Sequence, residues 1–234
     1  MAYVFAAPGQ PVVGVAGTSD LFPVRRIYCV GRNYADHARE MGHTGREAPF
    51  FFGKPADAVL PVAEGAVGKL AYPGQTADLQ YEVELVVALG ARGSALRAAD
   101  AGRLVWGYAV GIDLTRRDLQ AEQKKLGRPW DIAKGFDRSA PLSPIRRVGS
   151  GGALAAGRIW LDVNGQRRQD GDVAAMIWGV DEIIEHLSQY FELAPGDLIF
   201  TGTPAGVGPI IAGDRVRAGI DTVGTLALQV LPGL

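Results

Sequence analysis

The amino-acid sequence predicts an α+β fold that is mainly β, and two observations support this class. Short apolar runs rich in Val, Ile and Leu recur along the 234 residues, and runs of this length and composition are typical of strands. The 32 Gly and 14 Pro residues interrupt these runs and mark frequent turns. Helical spacing of apolar residues is confined to a few segments, so the pattern favours a β-rich fold over a helical bundle.

The clearest predicted strands are short apolar segments bounded by turn residues. They comprise residues 24–30, 81–89, 107–112, 158–163, 198–201, 214–218 and 224–230. Asn164-Gly165 follows the fourth of these strands, and this dipeptide predicts a tight hairpin turn into a partner strand at 166–169. Helices are expected at 33–41, 115–126 and 180–190, and surface loops at 92–100 and 149–157.

Length and composition predict one large domain with a sizeable core. We expect a short N-terminal segment, residues 1–22, followed by the main domain at 23–234. Hydrophobic residues make up 47% of the chain and the formal net charge is −1, so the composition indicates neither a nucleic-acid partner nor a membrane-surface partner. No apolar run approaches the roughly 20 residues that a membrane span requires.

Cysteine content and the N-terminal sequence predict the cellular compartment of the protein. The single Cys29 excludes an internal disulfide and fits a reducing compartment. It lies in an apolar strand-like run, where a buried inert thiol is expected rather than a nucleophile. The first residues lack the basic segment of a signal peptide, so a cytoplasmic protein is expected.

Two carboxylates two residues apart predict a metal site. Glu82 and Glu84 lie in a Val- and Leu-rich run, and side chains at i and i+2 of a strand point to the same face. Two like charges that must be desolvated together repel each other, and a divalent cation removes that repulsion. Carboxylate oxygens suit Mg²⁺, Mn²⁺ or Ca²⁺. The alternative is an exposed strand edge with two solvated glutamates.

A third acid, Asp113, ends the apolar run at 107–112. Together with the two glutamates it would complete an open set of three oxygen ligands, which leaves room for water and substrate. Because the following segment has helical character, Asp113 is alternatively an N-cap. The spacing alone does not show that the two strands are neighbours.

His37 and Glu40 lie at i and i+3 of a predicted helix and are therefore side by side. A carboxylate beside an imidazole fixes the tautomer and increases basicity, which is the arrangement of a general base. The alternative is a weak surface ion pair.

Lys134 and the segment at residues 200–209 each allow two interpretations. Lys134 lies between apolar and aromatic residues, where it is either a surface lysine with a buried stem or a cation aimed at a developing oxyanion. Residues 200–209 form a Gly-rich segment after a strand, which either exposes N–H groups to an anion or makes a plain tight turn. Neither nucleotide-binding glycine motif is present, so nucleotide binding is excluded.

Taken together, six motifs resemble the fumarylacetoacetate hydrolase family. The resemblance runs from about Arg25 to the C terminus, and within the family the stretch at 47–57 most resembles the bacterial fumarylpyruvate hydrolases of gentisate breakdown. In chain order the motifs are GRNYADHARE, FGKPAD, YEVEL, GxDLTRRDLQ, WDIAKGFD and PGDLIFTGTPAGVG.

The resemblance implies a fold and a set of site roles. It implies a roll of mixed, strongly bent β-sheets with a few peripheral helices, a catalytic main domain and a homodimer. It also implies one Mg²⁺ or Mn²⁺ per subunit, a water-activating pair, groups that face the metal-bound substrate and further substrate-binding groups. The implied metal ligands are Glu82, Glu84 and Asp113, and the implied water-activating pair is His37 and Glu40. The implied catalytic groups that face the substrate are Lys134 and Gln120. The implied substrate-binding residues are Arg32, Arg117, Lys134 and Thr203.

The implied activity is the metal-dependent hydrolysis of a C–C bond in a 2,4-dioxo acid, with fumarylpyruvate cleaved to fumarate and pyruvate. Alternatives within the family are a broad acylpyruvase or oxaloacetate decarboxylase, a maleylpyruvate hydrolase, and a hydratase or isomerase. A non-enzymatic binding protein on the same scaffold would lack the base or the lysine. A second carboxylate on the substrate calls for a distant cation, for which the sequence offers Arg32, Arg46, Arg116 and Arg128.

Overall fold

The computed structural model describes residues 3–35, 47–149 and 154–233, which form many short strands and few helices. The first nine strands are β1 (Val12–Gly14), β2 (Leu21–Pro23), β3 (Arg26–Gly31), β4 (Phe50–Lys54), β5 (Val59–Pro61), β6 (Gly68–Ala71), β7 (Leu79–Tyr81), β8 (Val83–Leu89) and β9 (Val105–Ile112). The next nine are β10 (Thr115–Arg116), β11 (Ala140–Leu142), β12 (Arg146–Arg147), β13 (Arg158–Val163), β14 (Gln166–Asp172), β15 (Asp197–Phe200), β16 (Gly208–Pro209), β17 (Arg215–Ile220) and β18 (Gly224–Leu231). The helices are α1 (Ala98–Ala101), α2 (Arg117–Leu126), α3 (Asp131–Lys134) and α4 (Val180–Ser188).

Two mixed sheets dominate the fold. The larger has the strand order β4-β3-β15-β8-β9-β11-β5, with β12 paired to β9 at one side. In it β15 runs parallel to β3 and β11 parallel to β5, whereas the other pairs are antiparallel. The second sheet has the order β14-β13-β17-β18-β6. Two small sheets, β1-β2 and β10-β7-β16, complete the arrangement.

Strand β8 lies at the centre of the core, and its side chains alternate between two hydrophobic clusters. Leu85 and Val87 pack into a cluster that also contains residues of the second sheet. Val86 and Ala88 pack on the opposite face, where the N-terminal β1-β2 hairpin covers them. Because both faces are covered, every residue of β8 is buried. Glu84 belongs to the same face as Val86, so its carboxylate is desolvated by the fold itself.

The predicted class, mainly β with a few helices, is confirmed. All seven predicted strands are present, and the hairpin turn at Asn164-Gly165 has the positive φ angles, 52° and 78°, that this turn requires. Its second strand is longer than predicted and extends to Asp172. No helix in the described ranges is both long and apolar enough to cross a membrane.

Three predicted boundaries were wrong. The strand expected at 81–89 is divided at Glu82, where β7 ends and β8 begins. The helix expected at 115–126 begins at Arg117, because Thr115 and Arg116 pair with β7 instead. The loop expected at 92–100 includes the start of α1, a single turn packed on α4. The helix expected at 33–41 lies mostly outside the described residues.

Candidate active site

The three predicted acids come together at one end of β8 and β9. The two strands are antiparallel with Glu84 opposite Gly111, and the Asp113 N–H donates to the Glu82 carbonyl at 2.8 Å. One carboxylate oxygen from each of Glu82, Glu84 and Asp113 lies within 4.8 Å of the others. All three residues are buried, with exposures of 6%, 2% and 1%. The exposed strand edge considered as an alternative is therefore wrong.

Burial and mutual repulsion act most strongly on Glu84. Burial raises the pKa of this carboxyl well above its usual value, and the nearby charges of Asp113 and Glu82 raise it further. The Gly202 N–H, which donates to Glu84 Oε2 at 2.7 Å, and the Lys134 ammonium only partly oppose this. A buried carboxyl whose charged form is this unfavourable gains from a bound cation.

The residues present fit a divalent metal ion. The donor set consists of carboxylate oxygens, the ligands that Mg²⁺ and Mn²⁺ prefer. Asp113 Oδ1 is buried and accepts no hydrogen bond within the described part of the chain, although Lys54 Nζ lies 2.8 Å away, out of line for one. Glu82, Glu84 and Asp113 therefore form a group that can hold one such ion.

Lys134 is a buried cation in contact with two of the acids. Its Nζ donates to Glu82 Oε2 and to Asp113 Oδ2, both at 2.7 Å. Burial lowers the pKa of Lys134, but the charges of Asp113 and Glu82 outweigh it and raise the pKa to about 12. Because the residue is only 2% exposed, the surface-lysine interpretation is wrong. The ammonium remains protonated at neutral pH and acts as a donor.

Lys54, a second buried lysine, was not predicted. Its Nζ donates to Ser139 Oγ at 3.1 Å, to the Leu114 carbonyl at 3.3 Å and to the Lys134 carbonyl. It therefore connects the loop after β9 to the helix that carries Lys134. The residue ends β4 after a run of phenylalanines and belongs to the FGKPAD motif, but neither feature indicates its role.

Helix α2 presents Arg117 and Gln120 to the acids. The Arg117 guanidinium donates to Glu82 Oε1, to Gln80 Oε1 at 2.8 Å and to Gln120 Oε1 at 2.6 Å. Burial raises the pKa of Glu82, but Lys134 and Arg117 outweigh that effect and hold it below its usual value. Gln120 is buried and held by this arginine.

The Gly-rich segment after β15 supports the acids from behind. Gly202 has a φ of +94°, and a Cβ there would lie 2.8 Å from the Asn33 Cβ, so only glycine fits. Its N–H donates to Glu84 Oε2 and so is used within the site. The Thr203 hydroxyl donates to the Val83 carbonyl at 2.7 Å and accepts from Gln169 at 2.8 Å. Thr203 is thus tied to the fold, and Gln169 is a supporting residue that was not predicted.

Three aromatic rings form one side of the pocket, and we call Phe50, Phe52 and Trp130 the aromatic wall. Phe50 and Phe52 lie two residues apart on β4 and share a face. Trp130 contacts both rings edge-on, with centroid distances of 5.5 Å and 5.7 Å. A Cβ on Gly31 would lie 2.0 Å from the Phe50 ring, so glycine is required for the ring to lie there.

A single pocket is lined by all the predicted site residues that the structure describes. They are Arg32, Glu82, Glu84, Asp113, Arg117, Gln120, Lys134 and Thr203. His37, Glu40 and Arg46 lie outside the described residues. Arg116 contacts Phe136 and the Ile132 carbonyl away from this pocket, and Arg128 lines a neighbouring cavity. Cys29 is buried in β3, and burial raises the pKa of its thiol, as expected of an inert cysteine.

A mainly β fold with three buried carboxylates and a protonated lysine in one pocket defines a class of metal-binding proteins with oxygen ligands. Comparison with known proteins gives the particular family. The family model described as fumarylacetoacetate (FAA) hydrolase C-terminal matches residues 26–231, and the chain belongs to this family. The resemblance noted in the sequence is confirmed.

Three relatives illustrate the likeness. The chain is 45% identical to the mitochondrial oxaloacetate tautomerase FAHD1 of Mus musculus, over 88% of this chain and 91% of that protein. It is 42% identical to a fumarylpyruvate hydrolase of Ralstonia sp., over 80% of this chain and 94% of that protein. The crystal structure of fumarylpyruvate hydrolase from Pseudomonas aeruginosa, in complex with Mn²⁺ and pyruvate, superposes with a TM-score of 0.97 at 50% identity. That match covers 99% of this chain and all of the other.

Proposed function

We propose that the protein is a metal-dependent hydrolase that cleaves a C–C bond in 2,4-dioxo acids, with fumarylpyruvate as the preferred substrate. The observation that carries this proposal is the pocket in which Lys134 bridges two of three buried carboxylates. The likeness to a fumarylpyruvate hydrolase in complex with Mn²⁺ and pyruvate supports the choice of substrate. The products are fumarate and pyruvate.

Glu82, Glu84 and Asp113 would hold one Mg²⁺ or Mn²⁺ per subunit. When bound, the ion supplies Lewis-acid stabilisation for the negative charge that develops on the pyruvoyl fragment. In the described part of the chain, Lys54, Lys134 and Arg117 make ion pairs with Asp113 and Glu82, and their three positive charges equal the charge of the three carboxylates when all are ionised. The site with a divalent ion is therefore cationic, which suits an anionic substrate.

The proposed reaction needs an activated water, a donor for the oxyanion and a proton for the leaving carbon. We assign water activation to His37 and Glu40, on the strength of their helical spacing and the family resemblance. Water adds to the C4 carbonyl, the C3–C4 bond breaks, and C3 takes up a proton to give pyruvate. Lys134, which is protonated and buried, and the Gln120 amide are the candidates that donate to the C4 oxyanion.

The remaining site residues are assigned to substrate binding. Arg117 orients Gln120 and Glu82 through direct hydrogen bonds, so it contributes charge and also fixes its neighbours. Thr203 lines the pocket and is held rigidly by Gln169. Of the four arginines considered for a distant carboxylate, Arg32 is the one that lines this pocket among the residues described.

We also propose a setting for the enzyme. Fumarylpyruvate hydrolysis places it in gentisate breakdown. A single buried free thiol is compatible with the reducing cytoplasm. The family resemblance supports a homodimer. The division into a short segment at 1–22 and a catalytic domain at 23–234 is retained as a proposal.

A second candidate function is action on oxaloacetate. The observation that favours it is the 45% identity to an oxaloacetate tautomerase. Proton transfer or decarboxylation on oxaloacetate would use the same metal ligands and the same lysine but would not need an activated water. The His37–Glu40 pair in the sequence is the feature that favours hydrolysis over these reactions.

A substrate comparison tests the proposal. The purified, Mn²⁺-loaded protein is incubated separately with fumarylpyruvate, maleylpyruvate, acetylpyruvate and oxaloacetate. Pyruvate release is measured for each substrate. We expect kcat/KM for fumarylpyruvate to exceed the others at least tenfold, which is about 1.4 kcal/mol of transition-state discrimination. Equal or faster turnover of oxaloacetate would contradict the substrate assignment and favour the second function.

A further inference from the structure

Each ring of the aromatic wall carries one cation. The Arg32 guanidinium lies 5.4 Å from the centroid of Phe50, Lys134 Nζ lies 5.1 Å from that of Phe52, and Lys124 Nζ lies 5.3 Å from that of Trp130. Lys124 also lines the pocket, although neither motif nor spacing marked it in the sequence. The wall therefore arranges three positive groups along one side of the pocket.

These cations differ in their partners. Lys134 makes ion pairs with Glu82 and Asp113 at the metal end. Arg32 and Lys124 have no carboxylate within ion-pair distance among residues 3–35, 47–149 and 154–233. Within the described ranges these two pocket-lining cations are therefore not engaged in an ion pair, which leaves their charge available to an anionic ligand.

Helix α2 explains the position of Lys124. Arg117, Gln120 and Lys124 lie at i, i+3 and i+7 of this helix, so they form one stripe along its pocket face. Arg117 and Gln120 are at the acids, and Lys124 is two turns from Arg117, at the exposed rim. Burial of part of the side chain lowers the pKa of Lys124, and the positive charges of Arg32 and Arg117 lower it further. The rim of the pocket is thus positively charged.

The spacing of the residues in the aromatic wall indicates the length of ligand that fits along it. Phe50 and Phe52 are two strand residues apart, which corresponds to about 7 Å. One cation lies over Phe50, and the cation over Phe52 is Lys134, at the metal end. A short acyl arm of a few carbon–carbon bonds is comparable in length to the spacing of the two wall residues.

We propose that Arg32 and Lys124 form a subsite for a second carboxylate on the acyl arm of the substrate, and that this subsite selects dianionic acylpyruvates. The inference rests on the proposed function, which it narrows to a substrate class. A flat unsaturated arm would stack on the aromatic wall, and the rings would partly desolvate the two cations and strengthen their attraction for the carboxylate.

The test compares a substrate that carries an unsaturated carboxylate arm on C4 with one that carries a methyl group there. For the Mn²⁺-loaded protein, kcat/KM is measured with fumarylpyruvate and with acetylpyruvate, which has no second carboxylate. We expect Lys124→Met to lower the ratio of the two values about tenfold, the loss of one charge-assisted contact, and chiefly through KM for fumarylpyruvate. Lys124→Arg, which keeps the charge, is expected to retain most of the ratio.

Lys125→Met is the matched control, because Lys125 is an exposed lysine on the same helix that does not line the pocket. An unchanged ratio in Lys124→Met, or an equal fall in Lys125→Met, would overturn the subsite while leaving C–C hydrolysis in place. Equal kcat/KM values for the two substrates in the native protein would overturn it as well. If the native protein releases pyruvate from neither substrate, the proposed function itself fails, and the subsite fails with it.

Discussion

The fold imposes an electrostatic cost on the Glu84 carboxylate. It is buried on β8, beside two other carboxylates, on a face that the strand otherwise fills with Val86 and Ala88. Burial and its acidic neighbours raise the pKa of Glu84, and the hydrogen bond that it accepts from the Gly202 N–H does not compensate. In the absence of a metal ion the carboxyl therefore retains a proton far above its usual pKa.

This predicts an unusual pH dependence for Glu84→Gln in metal-free protein. Because the folded pKa of Glu84 is raised, its contribution to stability is fully present below the usual glutamate pKa of about 4.5 and is lost as the pH rises through the folded value. Glutamine has no such loss. The variant should therefore gain stability relative to the native protein as the pH rises, by about 1.4 kcal/mol for each unit by which the pKa is raised.

Urea unfolding in the presence of a chelator, from acidic to neutral pH, measures this difference. A difference in the free energy of unfolding that does not change with pH would contradict the prediction. The same variant should bind Mn²⁺ more weakly, because the amide replaces a charged ligand.

Lys54 stabilises the site from beneath. We expect Lys54→Met to destabilise the metal-free protein by about 3 kcal/mol, because it leaves Asp113 without this cation and removes the donor to the Lys134 and Leu114 carbonyls. Thermal or chemical unfolding measures the loss. Lys69→Met is the control, since Lys69 is an exposed lysine on β6 and should change stability by less than about 0.5 kcal/mol. Equal losses in the two variants would argue against the role assigned to Lys54.

The contrast between Glu82 and Lys54 shows what sequence reveals at the scale of residues. Glu82 and Glu84 were predictable, because strand periodicity alone places them on one face. Lys54 was not, because its role depends on β4 packing beside β3 and on a loop more than eighty residues away in the chain. Lys124 was missed for a related reason. Its proposed role in the subsite depends on Trp130 and Arg32, which come near it only in the folded chain.

The turn after β15 connects local backbone geometry to the acids. We expect Gly202→Ala to weaken Mn²⁺ binding and to cost more than about 3 kcal/mol of stability, because alanine is strained at a φ of +94° and its Cβ would collide with Asn33. Displacement of this turn also moves the N–H that holds Glu84.

Gly213→Ala separates strain from the effect on the site. Gly213 has a similar φ, +99°, but no atom lies within 4 Å of a Cβ built there. This variant should lose about 1–3 kcal/mol of stability and keep the native affinity for Mn²⁺. Calorimetric titration with Mn²⁺ and thermal unfolding of both variants provide the measurements. An equal loss of Mn²⁺ affinity in both variants would refute the proposed link between Gly202 and the metal ligands.

At the scale of elements, periodicity identified the long strands and missed the short ones. The missed strands, among them β1, β4, β5 and β11, have two to five residues, too few to show an alternating pattern. Their existence depends on partners, as when β11 pairs with both β5 and β9. The two-residue strand β10 formed where a helix was expected, because pairing with β7 outweighs the helical propensity of the segment.

The whole molecule brings together acids that are distant in sequence. Glu82 and Glu84 come from the junction of β7 and β8, whereas Asp113 follows β9, and α1 with its flanking loops lies between them in the chain. The register of β8 on β9 and the closure of the core around both strands create the site. An unfolded chain has no comparable arrangement of ligands, so metal binding is coupled to folding.

Mn²⁺ is therefore expected to stabilise the protein against unfolding. At a free concentration of 100 times the Kd, binding to the folded state alone adds about 2.7 kcal/mol. For a chain of this size each kcal/mol raises Tm by about 2–4 °C. Glu82→Gln should greatly reduce the increase, whereas Glu64→Gln, which changes an exposed glutamate, should leave it intact. Differential scanning calorimetry with and without Mn²⁺ measures both.

A Tm in the native protein that does not respond to Mn²⁺ or Mg²⁺ would show that the three buried carboxylates do not bind a metal ion. Lys54, Lys134 and Arg117 would then balance Glu82 and Asp113, and Glu84 would retain its proton.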